Sequence, residues 1–110
     1  MNHPRRGGCM DVTILLGSSS DLPIAEKCTK ILDHFSVSYQ LRVASAHRSP
    51  VFVEEIINQA EADGCQLFIA MAGLAAALPG AVAALTTKPV IGVPCGGRVP
   101  YDSLLSIVQL

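Results

Sequence analysis

The chain has 110 residues, of which 50% are hydrophobic, 15% charged and 5% aromatic. The apolar half is too large for a disordered chain, and the length suffices for one domain with its own core. Eight basic and nine acidic residues give a formal net charge of −1, which argues against nucleic-acid binding through bulk charge. The cysteines, Cys9, Cys28, Cys65 and Cys95, lack the spacing of zinc ligands, and we expect reduced thiols in a cytoplasmic protein.

Residues 64–87 contain no charged side chain, and a helix of that length would cross a bilayer. Pro79 and Gly80 interrupt the stretch, and its character changes at Gly73 from a strand-like run to an Ala-rich helical run. We therefore expect a buried strand followed by a buried helix rather than a membrane span.

Strand-like and helix-like segments alternate along the chain. Short apolar runs predict strands over residues 11–16, 38–43, 66–70 and 90–93. Apolar residues at helical spacing predict helices over 22–35, from Ser49-Pro50 to Gly64, over 75–85 and over 101–110, and Asp21 stands where it can cap the first of them. The pattern predicts an α/β fold, a three-layer sandwich with a parallel, flavodoxin-like doubly wound sheet of about four βα units. Residues 1–10 are expected to form a loose leader, with the domain over 11–110.

Ligands of such sheets bind at the carboxyl ends of the strands, where the loops gather. The first loop, residues 17–21, is rich in hydroxyls and runs into a helix N-terminus, which favours phosphate, although an ordinary serine-rich turn fits the same residues. Asp21 could instead accept hydrogen bonds from sugar hydroxyls. In the second loop, Arg48 is suited to clamp an anion and His47 to move a proton, whereas the structural alternative is a solvated arginine and a packed histidine.

These loops resemble the PurE family in order and spacing, from about Val12 to Leu110. The matching segments are Gly17-Ser18-Ser19-Ser20-Asp21, Ser45-Ala46-His47-Arg48-Ser49-Pro50, Ala72-Gly73 with Leu78-Pro79-Gly80, and Pro89-Val90-Ile91-Gly92-Val93-Pro94. The presence of the first two segments together is the specific signal. Enzymes of this family act on aminoimidazole ribonucleotides in de novo purine biosynthesis.

The resemblance implies an isomerase that moves the carboxylate of 5-(carboxyamino)imidazole ribonucleotide from the exocyclic nitrogen to the ring carbon, with CO2 held in a closed pocket between the two steps. It implies no cofactor and no metal. Arg48 favours this mutase over the direct carboxylase of aminoimidazole ribonucleotide, in which lysine follows the histidine. That carboxylase, or a related PurE-like carboxylase acting on another nucleotide, is the alternative within the enzyme class. The residue roles that it implies are His47 as the acid/base, Ser18, Asp21 and Arg48 as nucleotide contacts, Ser20 and Ser45 close by, and Gly73 in a substrate-binding loop.

The resemblance further implies a cytoplasmic homo-oligomer, an octamer in the family, that binds a small-molecule ribonucleotide but neither nucleic acid nor membrane. The chain departs from the family pattern in two ways. Leu74 and Ala77 stand where many mutases have glycine and histidine. Family chains also continue past residue 110 with elements that help build the oligomer, so we expect a domain incomplete at its C-terminal end. The alternative outside the enzyme class is therefore an inactive nucleotide-binding module.

Overall fold

The computed structural model of the chain describes residues 10–46, 48–73 and 77–95. Strands and helices alternate in the described part as the sequence predicts. The strands are β1 (Val12–Leu16), β2 (Tyr39–Val43), β3 (Leu67–Ala72) and β4 (Val90–Pro94), and the helices are α1 (Leu22–His34), α2 (Pro50–Ala62) and α3 (Leu78–Ala83), with a 3₁₀ turn at Ser19–Asp21 before α1. Residues 1–9 of the predicted leader, which include Cys9, and the helix predicted over 101–110 lie outside the described residues.

The four strands form one parallel sheet in the order β2-β1-β3-β4. From β1 the chain passes through α1 to β2 at one side of the sheet. It then returns through α2, past β1, to β3 on the other side, and α3 leads on to β4. This reversal of direction is the topology of a doubly wound sheet, so the predicted α/β fold is confirmed.

Apolar side chains pack on both faces of the sheet. Leu15 and Phe68 meet the helices α2 and α3 on one face, whereas Ile14 and Met71 belong to the cluster that α1 covers on the other. β1 is buried at each of its five residues because it lies between two strands and two helical layers. The layers are therefore α1, the sheet, and α2 with α3.

The uncharged stretch forms β3 and α3 at the centre of this arrangement. Five of the six residues of β3 are buried, as are Leu78, Pro79 and Val82 of α3. In the ranges that the structure covers, no helix is long and apolar enough to cross a membrane. The helix begins at Leu78 rather than at residue 75, where the sequence predicts its start, and residues 74–76 lie outside the described part.

Three backbone hydrogen bonds continue the sheet beyond the ends of its strands. The Gly17 N–H donates to Met71 O at 2.9 Å, the Ala44 N–H to Leu16 O at 2.8 Å, and the Cys95 N–H to Ala72 O at 2.9 Å. The loops after the strands therefore leave from one edge, the carboxyl edge, and this edge is where the side chains of the candidate site lie.

Candidate functional site

A cleft of about 480 Å³ lies at the carboxyl edge, between the loops that follow β1 and β2. Its polar groups are serine hydroxyls and one guanidinium group, and the rest of its wall is apolar. The lining residues are Gly17, Ser18, Ser19, Val43, Ala44, Ser45, Arg48, Ser49 and Phe52. The two loops singled out in the sequence thus form one cavity, and among the described residues its only charged lining group is the Arg48 cation.

The loop after β1 is a tight turn whose serines are exposed. Gly17 lies so close to β3 that a Cβ atom built on it would approach the Ala72 Cβ to 3.4 Å. Ser18 is extended, and its Oγ accepts the Ser20 N–H at 3.2 Å and lies 2.9 Å from the Ser20 Oγ. These bonds fix the Ser18 hydroxyl at the mouth of the cleft, where a hydroxyl can both donate to and accept from a ligand.

Asp21 is buried, with 6% of its surface exposed, and does not line the cleft. Burial raises the pKa of its carboxyl, and a hydrogen bond from the Ser18 backbone partly opposes that rise. The predicted capping role is wrong in its detail: Asp21 occupies the N-cap position of α1, but its side chain makes no capping bond. The backbone of Asp21 is already helical because this residue closes the 3₁₀ turn. A residue whose side chain caps a helix usually has an extended backbone.

The loop after β2 turns directly into the N-terminus of α2. The Arg48 N–H donates to the Ser45 Oγ at 3.2 Å, and the Ser49 N–H donates to Ser45 O at 2.9 Å. Ser49 is the N-cap residue of α2, and its hydroxyl makes no capping bond. The first N–H groups of a 13-residue helix, its dipole and the exposed Arg48 guanidinium therefore meet at the cleft, a combination that attracts an anion.

Gly73 follows β3 at the same edge, and a Cβ atom built on it would meet nothing within 4 Å. The structure thus brings three of the predicted site residues, Ser18, Ser45 and Arg48, into one cleft. Three other predicted site residues lie at the carboxyl edge but do not line the cleft: Gly73, and Ser20 and Asp21 of the first loop. His47, and Leu74 in the third loop, lie outside the described residues.

Phe52 is a lining residue that the sequence does not reveal. Helical spacing predicts it on the buried face of α2 with Val53 and Ile56, and both of these are buried. Phe52 itself is 39% exposed, and the Arg42 Cζ lies 5.6 Å from the centroid of its ring. Phe52 lies in the first turn of α2, and its side chain lines the cleft, whereas its neighbour Val53 joins the core.

Cys95 lies near the buried carboxyl of Asp21. Burial, and after it the negative charge of Asp21, raise the pKa of the Cys95 thiol. The thiol is therefore protonated at neutral pH and is a weak nucleophile. Among the described residues, no three His, Cys, Asp or Glu side chains stand close enough together to hold a metal ion.

Comparison with known proteins places this site in a family. The AIR carboxylase family model matches residues 11–110. The chain belongs to the AIR carboxylase family. It is 56% identical over 100 residues to the N5-carboxyaminoimidazole ribonucleotide mutase of Methanocaldococcus jannaschii and 49% identical over 105 residues to that of Pyrococcus abyssi. These alignments cover 90% and 94% of this chain but 62% and 60% of the relatives, so the chain spans less than two thirds of their length.

The family fold extends to a solved structure. The crystal structure of Treponema denticola PurE matches with a TM-score of 0.82 at 33% identity, over 90% of this chain and 64% of that one. The PurE resemblance of the sequence is thus confirmed, and the cleft is built from the same two loops that carry that resemblance.

Proposed function

We propose that this chain acts as an N5-carboxyaminoimidazole ribonucleotide mutase in purine biosynthesis, the activity named for its Methanocaldococcus jannaschii relative. The observation that carries the proposal is the cleft itself. Ser18 comes from the loop after β1, Ser45 and Arg48 come from the loop after β2, and all three converge beside the N-terminus of α2, where a nucleotide phosphate fits.

The carboxyl edge supplies a partner for each part of the substrate. In our proposal the phosphate accepts hydrogen bonds from Ser18, Ser45 and the Arg48 guanidinium, whose fork of donors matches phosphate oxygens. Asp21 accepts hydrogen bonds from ribose hydroxyls. Ser20 supports the first loop, and Gly73 leaves room for the imidazole ring because no side chain fills that position.

The reaction requires one proton to move in each direction. The bond between the exocyclic nitrogen and the carboxylate carbon breaks, CO2 is released, and the nitrogen takes up a proton from His47. The ring carbon then attacks CO2, a carbon–carbon bond forms, and the ring carbon loses its proton to His47. No proton is gained or lost overall. A histidine suits both steps because its pKa lies near neutral pH.

Turnover of the carboxyamino nucleotide tests the proposal. We expect the purified chain to form the ring-carboxylated product, and His47→Asn to lose at least about 100-fold in kcat. His34→Asn is the matched control, because His34 is exposed at the end of α1. Equal rates for wild type and His47→Asn would contradict the role of His47.

Two further assays separate the alternatives. Product formed from aminoimidazole ribonucleotide and CO2, but not from the carboxyamino nucleotide, would identify a direct carboxylase instead. Nucleotide binding that Arg48→Ala abolishes, without any turnover, would identify an inactive binding module.

We also propose that the chain works as a homo-oligomer in the cytoplasm. Two apolar side chains are exposed near the C-terminal end of α1, Ile31 at 60% and the C-cap residue Phe35 at 69%, and they support an assembled form because they would be costly to leave in water. A sizing column coupled to light scattering tests the assembly, and a monodisperse monomer at working concentration would contradict it.

A further inference from the structure

A second cation stands behind the wall of the cleft. Arg42 is on β2, the strand at one side of the sheet, and its guanidinium lies over the ring of Phe52 with the Cζ 5.6 Å from the centroid. Phe52 lines the cleft on one side and a smaller groove of about 210 Å³ on the other, and Arg42 lines that groove. Arg42 lines the groove and not the cleft, and Phe52 is the residue that the two cavities share.

The ring holds the guanidinium in place. A cation over an aromatic face is attracted by the ring quadrupole, and this attraction restricts a long side chain that would otherwise move through solvent. Arg42 is partly buried, whereas Arg48 is exposed. The Arg42 charge is therefore held near the wall of the cleft, and salt in the open cleft screens its effect on a bound anion.

We propose that Arg42 is a positioning residue of the anion-binding end of the cleft: it supplies a second positive charge that attracts the phosphate without touching it, and Phe52 fixes that charge in place. This inference rests on the proposed function, because it takes the bound anion to be a sugar phosphate. Glu55 lines the same groove as Arg42 and is exposed, so its negative charge partly offsets the attraction.

Binding of ribose 5-phosphate tests the inference separately from the reaction, because this ligand carries the phosphate and the sugar but no imidazole ring. We would measure its Kd by calorimetry at about 20 mM and at about 1 M salt, where the Debye length is about 3 Å. We expect Arg42→Gln to raise the Kd about two- to fivefold at low salt and to leave it nearly unchanged at high salt.

Three variants separate a charge effect from structural damage. Arg42→Lys keeps the charge and is expected to restore most of the affinity. Glu55→Gln is expected to lower the Kd at low salt, since it removes the opposing charge. Lys30→Gln removes one positive charge from an exposed position on α1, on the opposite face of the sheet, and is expected to change the Kd by much less than Arg42→Gln.

The inference is overturned if Arg42→Gln and Lys30→Gln change the low-salt Kd equally, or if the loss in Arg42→Gln persists at high salt. It is also overturned if the wild type does not bind ribose 5-phosphate. Failure of the proposed function has a different signature: ribose 5-phosphate binds with the expected salt dependence, but the carboxyamino nucleotide is not turned over.

Discussion

Asp21 is a predicted site residue whose burial lowers the stability of the fold when its carboxyl is charged. Its carboxyl is buried at the carboxyl edge, and burial raises its pKa above the ordinary value of 3.8. At a pH between 3.8 and the raised pKa of the folded state, the folded protein holds a proton that the unfolded chain has released. The free energy of unfolding therefore falls as pH rises through this window, and the loss persists at neutral pH.

We expect Asp21→Asn to be more stable than the wild type at neutral pH, because the amide removes a buried charge while its oxygen still accepts the bond from Ser18. The gain should shrink as pH falls and vanish below about pH 3.8, the value of an unburied carboxyl. Thermal melts across this pH range measure it, with Asp11→Asn, on an exposed residue, as the control. A variant less stable than the wild type at neutral pH would refute this account.

The same substitution should weaken ribose binding if Asp21 has its proposed role, since an amide accepts hydrogen bonds less strongly than a carboxylate. Greater stability with weaker binding is the expected pattern for a residue kept for function at a cost in stability. An Asp21→Asn variant that binds ribose 5-phosphate as tightly as the wild type would remove Asp21 from the site.

At the scale of elements, α1 and α2 end in the same backbone motif with different residues. Val37 and Ser36 donate their N–H groups to Leu32 O and Asp33 O at the end of α1. At the end of α2, Cys65 and Gly64 donate to Ala60 O and Glu61 O in the same pattern. Each motif requires a residue with positive φ, which is Ser36 at 55° and Gly64 at 90°.

Substitutions at these two positions are expected to change the stability of the fold in opposite directions. Ser36→Gly should stabilise the fold by about 0.5–1 kcal/mol, because a side chain is strained at positive φ, and Gly64→Ala should destabilise it by about 1 kcal/mol. Chemical denaturation measures both. The positions precede β2 and β3, at the edge of the sheet opposite the cleft, so ribose 5-phosphate affinity should not change. Destabilisation by Ser36→Gly would show that strain at this residue is not the controlling term.

The helix ends also show which features the sequence could predict. Gly64 marks the end of α2 because glycine is the usual residue there, whereas Ser36 occupies the same conformation with no such signal. β3 extends to Ala72, two residues beyond its predicted end, because Met71 and Ala72 pair with Val93 and Pro94 of β4. That pairing depends on a strand more than 15 residues away, and local periodicity carries no information about it.

The residues of the site also fall into those that the sequence could predict and those that it could not. Ser18, Ser45 and Arg48 could be predicted because loops that follow parallel strands meet at one edge, whatever the details of packing. Phe52 and Arg42 could not, because their contact depends on how α2 lies relative to β2. An aromatic residue beside buried positions of a helix usually signals core, and only the packed structure shows that this one faces the cleft.

For the whole molecule, the two central strands β1 and β3 each contribute residues to both apolar clusters. Ile14 belongs to the cluster under α1, and Ile57 of α2 belongs to the cluster on the other face. Both side chains are fully buried. Because the same five residues of β1 alternate between the faces, neither cluster can lose its packing without exposing the strand that supports the other.

We therefore expect the two faces to unfold together while their packing energies remain independent. Ile14→Val and Ile57→Val should each lower the free energy of unfolding by about 0.5–1.5 kcal/mol, and the double variant should lose the sum to within about 0.5 kcal/mol. Urea denaturation followed by both far-ultraviolet circular dichroism and tyrosine fluorescence measures this. Each protein should show one transition with an unchanged slope, because unfolding exposes the same surface in each. Transitions that separate between the two probes would mean that the layers on either side of the sheet are not one cooperative unit. A double variant that departs from the sum by more than about 1 kcal/mol would mean that their packing energies are coupled.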